Sequence, residues 1–415
     1  MLFHKRHIDK QLHYGFSVTS ISMSRIPRSI KPLLNVSRRE ARRLFSSPLY
    51  MFCMIVAPVV CGIFFLTLMK SGSPTGIPVA VIDLDNSANS RSLARNIEAF
   101  QHTKVIAHCR TFGEARRMIQ RGEIYGAFLI PENFSKELQA QRQPTVSYYC
   151  NYAYFTAASL AFQDFKTMSE LAGGAATQST LQAKGVDKQH TSAFLQPIAV
   201  EKHVLGNPWV NYSVYLNNIL VPAALMIFIF LTTVYSIGVE LKERTAYEWI
   251  GTAGNSIFRA ITGKLLPQTI IFLAIGIFCD FLMFGVMKFP CRCGMPTMLA
   301  ITFLFILASQ GFGVFLVGLI PHFRFAMSLA SLWAIVSISM SGFTFPVTSM
   351  SPALKALSFC FPLRHYFQIY ACAALNCYPL HYCLVHILML LTLVLLPLTV
   401  LYRLKGVLLT YRYEP

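Results

Sequence analysis

Hydrophobic residues in this chain run in long blocks. From Ser213 to Val239 no side chain is charged, and Pro48 to Met69 is equally free of charge. A helix needs about 20 apolar residues to cross a bilayer core, and within lipid a helix satisfies its own backbone groups. The blocks predict spans at 48–69, 213–239, 265–287, 297–320, 325–347 and 382–403. Five of them crowd into the second half, and a polar insert, residues 70–212, separates the first from the rest.

Inside the insert the blocks give way to short alternating elements. Ile77–Asp85 reads as a buried strand, and Asn86 or Ser87 is placed to cap the helix that follows through Phe100. Strands are predicted at Thr103–Cys109, Tyr125–Pro131 and Pro144–Asn151, with helices at Thr111–Glu123 and through Phe134 and Leu138. Residues 154–195 read as a largely helical stalk, interrupted or softened around Gly173-Gly174, that returns to the membrane. The fold class is therefore a polytopic α-helical membrane protein with six transmembrane helices and an inserted extracytoplasmic α/β domain.

Composition sharpens this picture. Of 415 residues only 13% are charged, and the mean hydropathy is +0.50, unlike an ordinary soluble domain. The net charge of +18 suggests nucleic acid, but its placement argues against that partner. The first 47 residues carry ten Lys and Arg against Asp9 and Glu40. A basic segment abutting the first span is the positive-inside signature and favours anionic lipid. Six spans put both termini inside, together with Lys242, Arg244, Arg259, Lys264, Arg324, Arg403 and Lys405. Lys288, Arg292, Lys355 and Arg364 then fall outside, as does the insert. The first block is too long for a cleaved signal, so it reads as a retained signal anchor. Before it, residues 33–47 are amphipathic. Leu33, Val36, Ala41, Leu44 and Phe45 share one face, and Arg38, Arg39, Arg42 and Arg43 crowd the other, as in an interfacial helix. Residues 404–415 form a cytoplasmic tail.

Titratable chemistry is sparse. The 11 cysteines show no metal-ligand spacing, and Cys291-Arg292-Cys293 is too tight for a zinc knuckle. Cys109 and Cys150 fall in the insert, either as a disulfide or as two free thiols. Asp280 lies inside the third span, where a carboxylate is expensive and usually functional. It reads as a path or interface residue, or as one that reaches headgroups near the outer end.

Three segments carry a family resemblance. The loop 240–264 contains Glu240, Glu243, Arg244, Thr245 and Glu248, then restarts at Gly263, Lys264, Leu265 and Pro267. Residues 341–370 contain Ser341, Gly342, Phe343, Phe345 and Pro346, then Met350 and Pro352, then Pro362, Leu363, Tyr366 and Phe367. The insert opens with Asp83, Asp85, Asn86, Ser87, Ser90 and Arg91. Together these resemble the ABC type-2 exporter permeases, from about residue 33 to 403. Arg244 departs from the pattern, which has glycine before the threonine. In the insert opening, capping and turn formation explain the carboxylates better than a metal or phosphate site.

The resemblance implies a coupling loop that docks on a separate ABC ATPase subunit, a second permease subunit, and an outer re-entrant segment at 348–381. Gly342, Phe343, Phe345, Pro346, Pro362 and Tyr366 would form an outer gate. In a Gram-negative host the insert would project into the periplasm and could meet a periplasmic adaptor. No cofactor is expected. Gly263-Lys264 is followed by leucine and lacks the upstream glycine of a phosphate-binding loop, so ATP chemistry belongs on the other subunit. Two rival classes are a membrane-anchored assembly or signalling protein that transports nothing, and a secondary transporter. The second would show internal repeats and more buried polar groups.

Overall fold

The computed structural model describes residues 30–140, 142–183, 206–207 and 211–410. An amphipathic helix, α1 (Lys31–Ser46), leads into the first apolar helix, α2 (Pro48–Leu68). Five more helices have the length and composition to cross a membrane: α7 (Tyr212–Lys242), α9 (Ile257–Val286), α10 (Met295–Leu319), α11 (Phe323–Met340) and α14 (Leu380–Thr410). The chain is thus mostly helical and multi-pass. α7 and α10 are the most buried of the six and form the centre of the bundle. The outer faces of α2, α11 and α14 expose Val60, Phe64, Leu332, Ile335, Leu388 and Leu395. Apolar surface on that scale belongs in lipid or against another subunit.

The insert folds around a four-stranded sheet. Its strands are β1 (Ile77–Asp83), β2 (Thr103–Cys109), β3 (Gly126–Ile130) and β4 (Ser147–Cys150), in the order β2-β1-β3-β4. β1 is parallel to both neighbours, and β4 runs antiparallel to β3. Helices α3 (Ala88–Glu98) and α4 (Phe112–Arg121) make the crossovers, and α5 (Phe134–Gln139) precedes β4. The alternation along β1 decides the layers. Ile77, Val79 and Val81 pack with Leu93 and Ile97 of α3 and with Phe165 and Met168 of the long helix α6 (Phe155–Ala183). Ala80 and Ile82 face the other way, toward Ala115 of α4. Asp164 of α6 fastens this helix to the sheet by accepting from the backbone N–H groups of His102 (3.0 Å) and Thr103 (3.1 Å).

Some boundaries differ from the sequence expectation. α6 runs unbroken through Gly173-Gly174, because intrahelical hydrogen bonding tolerates glycine at a modest cost. Residues 184–195 of the expected stalk lie outside the described residues. α9 begins at Ile257, eight residues earlier than predicted, so Gly263 and Lys264 are helical and do not belong to the loop. α11 stops at Met340 because Gly342 adopts φ +86°, a left-handed conformation that ends the helix. Cys109 and Cys150 sit on opposite edge strands and both are free thiols. Three strand spacings separate them by roughly 14 Å, beyond the reach of a disulfide.

Candidate functional site

Gly263 brings two helices into direct contact. A Cβ at this position would lie 2.9 Å from the carbonyl oxygen of Leu33 and from Val36 Cβ, so only glycine lets α1 rest on α9. The face of α1 that this contact buries carries Val36, Ser37, Glu40 and Leu44. It differs from the expected apolar face, since Phe45 is 62% exposed. A carboxylate, Glu40, occupies the middle of the contact because its cation waits one residue beyond the glycine.

That cation is Lys264. Its Nζ donates to Glu40 Oε2 at 2.6 Å and to Glu240 Oε1 at 2.9 Å, and it lies 4.7 Å from the ring centroid of Trp249. Gln268 Nε2 adds a longer bond to Glu40 Oε1 at 3.4 Å. Glu240, at the end of α7, is gripped from the other side. Arg39 donates through Nη1 to Oε1 (2.7 Å) and through Nη2 to Oε2 (3.1 Å), the bidentate geometry that suits guanidinium and carboxylate. Arg43 Nη1 donates to Glu240 Oε1 at 3.0 Å, while its other amino group reaches Glu243. Thr245 Oγ1 donates to Glu240 Oε2. Glu40, Glu240 and Lys264 are each no more than 1% exposed. Three cations meet three carboxylates here, and such balance is what lets charges stay buried.

The short helix α8 (Ala246–Thr252) closes the cluster from below. Its Trp249 and Ile250 are buried, whereas Tyr247 is 81% exposed beside the exposed Glu248 and Gly251. Before it, Arg244 adopts φ +58°, in the left-handed region that favours glycine. After it, the Asn255 carbonyl accepts from Lys405 Nζ of α14 at 2.7 Å. α8 is therefore held by α1, α9 and α14 and presents one face outward.

Of the residues expected to couple this end of the bundle to a partner, Glu240, Thr245 and Lys264 come together in the interior, with Gly263 beneath α1. Glu243 sits at the rim, and Arg244 and Glu248 are exposed. Arg39 and Arg43 join the cluster, while Arg38 and Arg42 face outward. Glu40, Trp249 and Tyr247 were not expected. Glu40 had a signal: it is the lone acid in a helix with four arginines, spaced four residues from both Val36 and Leu44.

At the opposite end, the chain after α11 forms a cap from α12 (Pro352–Ser358) and α13 (Pro362–Ile369). Phe343 stacks at 4.4 Å on Tyr215 and meets Phe367 at 5.8 Å. Phe345 does not join them and is 52% exposed, and its neighbour Pro346 is exposed too. Pro362 and Tyr366 are buried, and Tyr366 packs on Phe305 of α10. Asp280 does not reach headgroups. It is 2% exposed, faces the bundle interior, and accepts from Thr302 Oγ1 at 2.8 Å. Asp280, Thr302 and Tyr366 line one small cavity with Pro222, which interrupts the backbone hydrogen bonding of α7.

In the insert, Asp83 Oδ1 accepts from the amides of Asp85 and Asn86, and Asp83 Oδ2 accepts from Ser90 Oγ. Ser87 and Ser90 form a reciprocal capping box. The Asp83 carboxylate thus shapes a turn and a helix start, while Asp85 Oδ2 accepts from the Ser135 amide at 3.1 Å.

Residues 48–403 match the family described as ABC-2 family transporter protein. No curated protein matches the chain.

Proposed function

The chain belongs to the ABC-2 family of transporter proteins, and from that premise we propose that it is the membrane-spanning subunit of an ATP-driven exporter. The family makes it a membrane transport component, without catalysis of its own. Two such subunits would pair with two ATPase subunits in a bacterial inner membrane. The insert would face outward, where an adaptor could meet it. The substrate would be amphiphilic or hydrophobic, because the described spans offer few charges to a polar solute.

The observation that carries this reading is the buried charge cluster joined to an exposed helix. Tyr247, Glu248 and Gly251 form a docking face, and Trp249 on the same helix touches Lys264. Lys264 is bonded in turn to α1 through Glu40 and to α7 through Glu240. A push on α8 from a closing ATPase would then move α1, α7 and α9 as one body. A saturated ionic cluster suits that role, since its geometry cannot deform without leaving a buried charge unpaired. Motion of α7 and α9 would reach the Pro222 and Asp280 cavity and the Tyr215–Phe343 stack at the outer end.

The test is copurification. The tagged full chain should bring down an ATPase whose turnover responds to the permease. Tyr247→Glu should weaken that association while the chain stays folded. Association unchanged by Tyr247→Glu and Glu248→Lys together would refute the docking assignment.

A further inference from the structure

Five of the 11 cysteines lie in two short segments: Cys291 and Cys293 after α9, and Cys372, Cys377 and Cys383 between α13 and the body of the last span. The fold packs these segments together. The Arg292 amide donates to the Ala374 carbonyl at 2.9 Å, and the Tyr378 amide donates back to the Cys372 carbonyl at 3.0 Å. That second bond turns the chain on itself, so the continuation of α13 (Tyr370–Leu375) lies against the start of α14 (Leu380–Cys383). Across this turn Cys383 lies in the hydrophobic core of the bundle, and Cys372 packs against that same core. Cys383 is 1% exposed, Cys372 is half-buried, and Cys377 is exposed at the tip between them. The distribution of basic residues puts all five thiols on the side of the insert. In bacteria that side oxidises thiols.

We propose that Cys372 and Cys383 form a disulfide that staples the outer cap to the first turn of the last span. The outward placement rests on the topology proposed above. The exchange begins at the accessible sulfur. The Cys372 thiolate attacks the disulfide of a thiol-oxidising protein and displaces one of its thiols. The Cys383 thiolate then attacks Cys372 in the mixed disulfide and displaces the second thiol. The two protons lost by Cys372 and Cys383 end on the partner's sulfurs, so the two cysteines are oxidised and the partner's disulfide is reduced to two thiols. The sulfurs must close to about 2 Å. The new bond encloses a short loop, and it fixes the segment carrying Tyr366 and Tyr370 to the last span. The bundle would keep its outer end closed more firmly when oxidised.

The test uses full-length protein in its own membranes, alkylated with N-ethylmaleimide before extraction and then digested for mass spectrometry. The expected result is a linked peptide pair joining Cys372 to Cys383, lost on reduction and in Cys372→Ser. Reduction should also lower the unfolding midpoint of the wild type by a few degrees, with no change in Cys372→Ser. Because Cys383→Ser perturbs a buried site, the half-buried Cys372 serves as the diagnostic variant. A membrane-impermeant maleimide on Cys377 in intact cells reads the topology separately. Alkylated Cys372 and Cys383 alongside a labelled Cys377 would overturn the staple and leave the topology standing. Cys377 shielded from the outside but labelled after permeabilisation would overturn both.

Discussion

At position 264 an ammonium group sits between two carboxylates, and those carboxylates are not equally protected. Glu240 also accepts from Arg39, Arg43 and Thr245, whereas Glu40 keeps only the 3.4 Å bond from Gln268. Lys264→Met therefore orphans Glu40 more than Glu240. It should destabilise the protein by about 3–5 kcal/mol, the usual effect of removing one partner of a buried pair. Adding Glu40→Leu should recover most of that loss, which a thermal unfolding series in detergent would show. If the double variant were no more stable than Lys264→Met, Glu40 would not be the orphaned charge. Arg244 tests a different cause. Its φ of +58° strains any side chain with a Cβ, so Arg244→Gly should stabilise by about 1 kcal/mol. None of this cluster was legible as a cluster in the sequence. Glu40 and Lys264 are 224 residues apart, and no local pattern reports such a contact.

Elements were more legible than contacts. Long apolar blocks can only be buried as whole helices, so the spans were readable without knowing their neighbours. Their ends were less readable. Gly263, Lys264 and Pro267 look like a boundary in the sequence, yet the helix passes through them because α1 covers that face. The α1–α9 contact yields its own prediction. Gly263→Leu should prise α1 away, exposing the Arg39–Glu240 pair, and limited proteolysis should then cut between α1 and α2 faster than in wild type. Equal rates would mean that the close approach is not needed. The insert's strands were legible from their period, but strand order was not, and strand order decides the fate of its thiols. Burial pushes the thiols of Cys109 and Cys150 up from their ordinary value, so both stay protonated and slow to react. With the sheet between them they should remain unlinked under mild oxidation. A Cys109–Cys150 peptide pair in folded protein would contradict the observed strand order.

At the scale of the whole molecule, two ends divide the work. In the proposed topology the cytoplasmic end would be a packed ionic cluster with the exposed helix α8, and the outer end an aromatic and cysteine-rich cap beneath the insert. The span count and the basic bias set this orientation. An engineered cysteine at Asn255 should accordingly be labelled only after permeabilisation, and one at Tyr154 from the outside. The reverse pattern would invert the account. What the sequence left hidden at this scale was which cytoplasmic residues remain free to touch another subunit. The charged residues that drew attention first, Glu240 and Lys264, are interior, whereas Tyr247 is exposed. Site-specific photo-crosslinking from position 247 in native membranes tests this most directly, with Tyr402 as a control because it is 91% exposed and the proposed topology puts it near the same end. The account predicts an adduct from position 247 that contains an ATP-binding polypeptide, at much lower yield from position 402. An absence of any ATP-binding adduct at 247, or equal yields from both positions, would contradict it.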